Sequence, residues 1–215
     1  MKARHRDPNH LSNGLYRLLE RGAAYELFQK LLGARDARQR FVAEFLRPPA
    51  RARVLDIGCG TGSLLEDLPI DVDYVGYDLN PRYIAAAEQR WGGRGRFFCA
   101  RVGDEPLEST ASGFDYVVAK GILHHLSDAE AEILVGSARR HLRLGGVLVT
   151  WDCVFHPGQS WIARLLISCD RGRRVRTPDG YRSLVAKSFT DIEEHLATDL
   201  AAVPYSHFIL MARKT

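Results

Sequence analysis

VLDIGCGTGSLL, residues 54–65, is the stretch whose reading decides the fold. A short apolar run ends in Asp56 and passes directly into glycines at 58, 60 and 62, every second position of a turn. Glycines there allow positive φ and let a ligand approach the main chain within van der Waals distance. The amides of such a turn are expected to lie open. Alone, the motif is weak, because glycine turns also serve simple helix–strand packing. Its value depends on what surrounds it.

On either side, strand and helix patterns alternate. Periodicity and punctuation predict strands over 53–57, 74–77, 96–100, 114–119 and 147–151. A helix is expected from about Ser63, another over 81–91 with Pro81 in its first turn, and a third over 128–142 capped by Ser127. A helix over 178–187 and strands over 192–198 and 206–213 finish the chain. Residues 11–46 carry helical spacing, with Gly33 separating two helices and Pro48-Pro49 stopping the last. Such alternation implies right-handed crossovers and a mostly parallel sheet covered on both faces. The ligand crevice then lies beyond the carboxyl ends of the strands.

Two adenosine ligands compete for the glycine turn. The dinucleotide fingerprint is G-x-G-x-x-G, with a pyrophosphate on the helix N-terminus. Here the third glycine falls one residue early and an acidic residue comes first. Asp56 repels a pyrophosphate and suits an ammonium group; S-adenosylmethionine has an ammonium, a sulfonium and no phosphate. Asp78, 22 residues beyond Asp56 at the end of the next strand, is placed to accept from ribose hydroxyls.

Composition bounds the rest. A chain of 215 residues suits one well-buried α/β domain. Its formal charge of +4 is mild, and only five of its thirty basic residues are lysines, so charge alone does not argue for nucleic acid. The four cysteines (59, 99, 153, 169) form no C-x-x-C pair and read as reduced thiols. No apolar leader appears and no run reaches the roughly 18 residues of a membrane span. The expectation is a soluble, cytoplasmic protein.

VLDIGCGTG, VGYDLN, FDYVVAKGILHHL and HLRLGGVLVTWD, in this order and spacing, resemble the successive strand-end motifs of the class I S-adenosylmethionine-dependent methyltransferases. The resemblance covers about residues 50–215. It implies a Rossmann-like α/β fold, a seven-stranded mostly parallel sheet of order 3-2-1-4-5-7-6 with the last strand antiparallel and helices on both faces. Residues 1–49 would form a helical cap, and 153–190 an insertion shaping the acceptor site. Carried over residue by residue, Asp56, Gly58, Cys59 and Gly60 would cradle the methionine part of the cofactor. Asp78 would hold the ribose, Leu79 would pack on adenine, and backbone around Val102 would face its other side. Ala119, Lys120 and Gly121 would meet the amino-acid moiety through carbonyls, and Tyr25 of the cap would close over the site. One departure stands out: Arg101 occupies a position where the family often has an Asp for the adenine amino group. Either Asp104 substitutes or backbone alone holds the base.

Methyl transfer is an in-line displacement that mainly needs alignment and exclusion of water. A general base is needed only where the acceptor must lose a proton. His124 sits at the crevice after the fourth strand and could take one; a structural role is equally open, and for neighbouring His125 it is preferred. Asp152 and His156 follow the fifth strand and are further candidates. No second carboxylate follows Asp152, so no metal is expected. Arg171, Arg173, Arg174 and Arg176 are either a solvated run or a clamp for an anionic acceptor. Tyr181 and the Tyr205/His207 pair read as core or hairpin residues. The resulting expectation is methyl transfer to a small molecule, without an oligomeric state being implied. The alternatives are an RNA or protein methyltransferase, disfavoured by AKGI where amino-directed enzymes carry Asn/Asp-Pro-Pro-aromatic, and a non-catalytic cofactor-binding module.

Overall fold

The computed structural model describes residues 34–101, 113–168, 174–201 and 205–215. Seven strands form one sheet: β1 Arg53–Ile57, β2 Asp73–Asp78, β3 Gly95–Cys99, β4 Phe114–Lys120, β5 Leu142–Cys153, β6 Asp191–Ala197 and β7 His207–Arg213. Their order is β3-β2-β1-β4-β5-β7-β6, with β7 antiparallel to both neighbours and the other pairs parallel. This is the topology expected from the motif order.

Period-two alternation splits the sheet between two cores. On one face Leu55, Ile57, Val117 and Leu148 pack under α3 (Asp128–His141) and α5 (Pro178–Ala186). On the other, Val54, Tyr74, Val118 and Trp151 pack against α1 (Ala34–Phe41) and α2 (Pro81–Trp91). The Phe41 and Trp151 rings stack at 4.8 Å, which ties α1 to the centre of that face. Strands β1 and β4, flanked on both sides, are thus nearly continuous apolar runs ending in polar residues. Those polar ends define the crevice.

Local chemistry sets the helix boundaries. Asn80 accepts from the Arg82 amide at 3.0 Å and Pro81 opens α2. Ser127 and Glu130 form a reciprocal capping box at the start of α3. Helix α1 is described from Ala34 and continues as a π-helical turn, Val42–Leu46, before Pro48. Two elements differ from expectation. The helix predicted from Ser63 is a single 3-10 turn, Ser63–Glu66, with Leu64 and Leu65 buried, because the segment soon meets Pro69 and returns to β2. The 153–190 link contains an unforeseen helix, α4 (Trp161–Ser168).

Candidate functional site

Strand β1 delivers Asp56 and the glycine turn to the carboxyl edge of the sheet. The turn's amides are not open, contrary to expectation. Gly58 and Cys59 N–H both donate to the Tyr77 carbonyl (2.7 and 2.9 Å), Gly60 N–H to Asp78 Oδ2 (2.9 Å) and Gly62 N–H to the Cys59 carbonyl (3.0 Å). With these donors consumed, the cup is no anion nest. Gly58 is required by its φ of +78°; a Cβ there would also lie 2.7 Å from Ile122 Cδ1, the tip of a side chain that would have to move. At Gly60 (φ +56°) a Cβ would meet nothing within 4 Å, so that side of the turn faces open space. Asp78 fixes the cup from β2, its second oxygen accepting from Asn80 N–H at 2.8 Å.

Asp56 is only 2% exposed. Its Oδ2 accepts from the Tyr74 hydroxyl at 2.7 Å, while Oδ1 is buried without a partner among the described residues. Burial raises its pKa from 3.8 to about 6, against the opposing pull of the Tyr74 hydrogen bond and the Lys120 charge. Tyr74 is a site residue that the sequence reading missed. The signal was present: Tyr74 pairs with Val54, two residues before Asp56 on the same face, and a buried carboxylate needs a donor.

Lys120 ends β4 on the face shared by Asp56 and Trp151. Its amine lies 5.7 Å from the Trp151 ring centroid. Burial pulls the lysine below its ordinary value, while Asp56 raises it and Arg38 of α1 lowers it further. Arg38 is itself held by Glu66 (2.7 Å) and Asp67. Leu79, after β2, is 62% exposed, an apolar side chain with no packing partner to hide it. The Cys59 thiol is buried and pushed well up by burial, so that residue meets a ligand only through its backbone. Ala119 is buried in β4, and Gly121 takes the left-handed conformation that turns the chain away.

His124 and Asp152 form a buried pair on the other side of the β4–β5 edge. The imidazole Nδ1–H donates to Asp152 Oδ1 at 2.7 Å, and the His124 backbone N–H donates to the same oxygen at 3.1 Å. Burial opposes protonation, but hydrogen bonds and charge interactions with Asp152 and Cys153 outweigh it and carry the imidazole up to about 10. The ring is therefore a cation at neutral pH. The ring of exposed His125 lies tilted at 40° to it, the centroids 4.1 Å apart. His156 lies apart from the pair, bonded to the Pro157 carbonyl (2.8 Å) and Ser206 Oγ (3.1 Å).

The arginine run separates. Arg176 turns inward, donating to the carbonyls of Leu123 (2.7 Å) and Leu126 (2.8 Å) and to Asp128, so it clamps the His124 turn and offers nothing to an acceptor. Arg174 is exposed, and its N–H donates to the His124 carbonyl at 3.1 Å. Tyr181 is buried, its hydroxyl donating to the Cys153 carbonyl at 2.9 Å. Tyr25, Val102, Asp104, Arg171 and Arg173 lie outside the described residues.

Comparison with known proteins adds a set of similarities. Residues 55–148 match the model of a methyltransferase domain. Over these residues the chain is similar to methyltransferase domains. A ubiquinone biosynthesis O-methyltransferase of Cereibacter sphaeroides is 30% identical over 150 residues, 65% of this chain and 60% of that protein. A reducing polyketide synthase, Preu2 of Preussia isomera, is 29% identical over 61% of this chain but only 6% of its own length. The chain thus spans less than two thirds of these relatives. The N-methyltransferase NodS of Bradyrhizobium japonicum WM9, solved with S-adenosylhomocysteine, shares the fold at TM-score 0.60 and 19% identity, covering 85% of each chain. The domain's cofactor is S-adenosylmethionine. The residues present fit it: a partnerless buried carboxylate oxygen for a cation, an open glycine face and an exposed leucine. No helix among the described residues is long and apolar enough to cross a membrane.

Proposed function

We propose that the chain transfers a methyl group from S-adenosylmethionine to a small-molecule acceptor. One observation carries this reading: a glycine cup whose amides are satisfied internally, beside Asp56 with a buried, partnerless oxygen. Such a cup is electronegative and selects a cation over a phosphate. Asp56 would hold the cofactor's ammonium, Asp78 its ribose and Leu79 its base, with the backbone of Gly58, Cys59 and Gly60 lining the methionine part. Val102 backbone and Tyr25 would complete the adenine side and the lid, residues 1–49 acting as a cap. When bound, the cofactor supplies a methyl already activated by positive sulfur, so the chain's task is alignment and exclusion of water.

Acceptor contacts come from the 153–190 link. His124, protonated by its bond to Asp152, serves as a fixed cation that positions the turn after β4, and takes up a proton only from a state it rarely occupies at neutral pH. Acceptors that are amines or acidic hydroxyls need no base. The reading is of metal-independent transfer, with Asp152 Oδ1 engaged by His124. A relative named for ubiquinone biosynthesis favours a metabolite over RNA or protein. Incubating the protein with methyl-labelled cofactor and a metabolite panel tests this; label appearing only in RNA or protein fractions would overturn it.

A further inference from the structure

Helix α4 is apolar on two opposite sides. Ser160 Oγ caps it by accepting from the Ala163 N–H at 3.1 Å, and Gln159 Nε2 ties its start to the Val154 carbonyl at 3.0 Å, just beyond β5. Ala163 and Ile167 are buried on one side. On the other, Trp161, Ile162 and Leu165 are 74%, 42% and 55% exposed. At 3.6 residues per turn these three fall within about 100° of arc, so they form one outward face. Other large exposed apolar side chains, such as Ile70, Ile133 and Leu144, come from separate elements. Single apolar residues on a surface need no explanation; a contiguous face marks an interaction site.

Size and charge select what covers it. The face amounts to roughly 300–400 Å², about half of the ~800 Å² per partner that a stable dimer needs. Its setting is basic: no Asp or Glu occurs from 153 to 169. Exposed Arg164 flanks the face, about 60° round the helix from Trp161, with its guanidinium 5.3 Å from the Phe155 ring centroid. Tryptophan, isoleucine and leucine on one side with an arginine at the edge suit the lipid interface. The apolar side chains enter the acyl boundary and the cation stays with the phosphates. The formal charge of +4 adds attraction to an anionic leaflet. We propose that the outward face of α4 docks the protein peripherally on an anionic phospholipid bilayer. The proposal stands independently of the cofactor reading.

The test is sedimentation of the native protein with sucrose-loaded vesicles, either phosphatidylcholine alone or an equal mixture with phosphatidylglycerol. Partition onto the anionic vesicles is expected to exceed that onto the neutral ones about tenfold. Trp161 reports the contact, because Trp151 is buried and Trp91 half-buried. Its emission should shift to the blue and its quenching by acrylamide should fall when anionic vesicles are added. Trp161→Ser combined with Leu165→Ser should cut the partition about tenfold, and Arg164→Glu should remove the preference for anionic lipid. All three side chains are exposed, so the thermal midpoint should stay near the native one, and the native fluorescence arms stand should a variant not fold. Native protein that stays in the supernatant, that partitions equally onto both vesicles, or that the double substitution leaves fully bound overturns the proposal. Self-association that the double substitution abolishes, without vesicle binding, assigns the face to a second copy and overturns it equally.

Discussion

Asp56 concentrates the site's electrostatics in one side chain. Its pKa of about 6 lies above the ordinary 3.8, so its contribution to folding stability is complete below pH 3.8 and is lost as pH rises through about 6. The gap corresponds to at most about 3 kcal/mol. Asp56→Asn is therefore expected to be more stable than the native protein at pH 8 by about 1–3 kcal/mol in urea unfolding, while binding S-adenosylhomocysteine at least tenfold more weakly. Native affinity should fall as pH drops through about 6, where the carboxylate takes up a proton. Tyr74→Phe removes a bond that lowers this pKa, and should move the fall to higher pH. An affinity flat from pH 5 to 8 contradicts this assignment. His124 has the same sign with a different window: its contribution is full below pH 6.5 and is lost as pH rises through about 10. His124→Ala leaves buried Asp152 with only the backbone N–H of residue 124 and no counter-charge, and should cost about 3 kcal/mol at pH 7, shrinking toward pH 10. The cup was legible in the sequence because glycine spacing and charge sign are local properties. The internal use of its amides was not, since Tyr77 and Asp78 reach the turn only through strand pairing.

Elements were legible where period and punctuation agreed. Helix α2 spans 81–91 as read, because Asn80-Pro81 starts it and the glycine pair after Trp91 ends it. The cap of α3 was visible as Ser127, and Glu130 completes it. Ser127→Ala should lower stability by about 1 kcal/mol, measured by thermal or urea unfolding, with cofactor affinity unchanged. Helix α4 escaped notice because its exposed Trp161, Ile162 and Leu165 and buried Ala163 and Ile167 give no clean apolar stripe. The segment from Ser63 misled for a different reason: Leu64 and Leu65 look like a helix start, yet only one 3-10 turn fits before Pro69. Arg176 misled too, since a basic run suggests solvent or anions while its guanidinium closes the Leu123–Leu126 turn. Arg176→Lys loses the fork that reaches both carbonyls and Asp128, and should destabilise the fold by about 1–3 kcal/mol without changing acceptor charge preference.

At the scale of the molecule, strand order places every polar strand end on one edge. Asp56, Asp78, Lys120 and Asp152 come from four strands, and β1 and β4 lie together where the winding reverses. Sequence motifs gave that arrangement because each motif ends a strand, and their resemblance to the methyltransferase family implied the strand order. Nothing comparable encodes the acceptor, whose contacts come from loops that topology does not constrain. Ligand linkage makes the arrangement measurable: S-adenosylhomocysteine at a hundredfold its dissociation constant should add about 2.7 kcal/mol, a rise of about 5–10 °C in midpoint. The most direct trial of the central claim is calorimetric titration of the purified protein with S-adenosylhomocysteine and, separately, NAD. Saturable binding of the sulfur nucleoside with none of the dinucleotide is the predicted result; uptake of NAD by a protein indifferent to S-adenosylhomocysteine would contradict it.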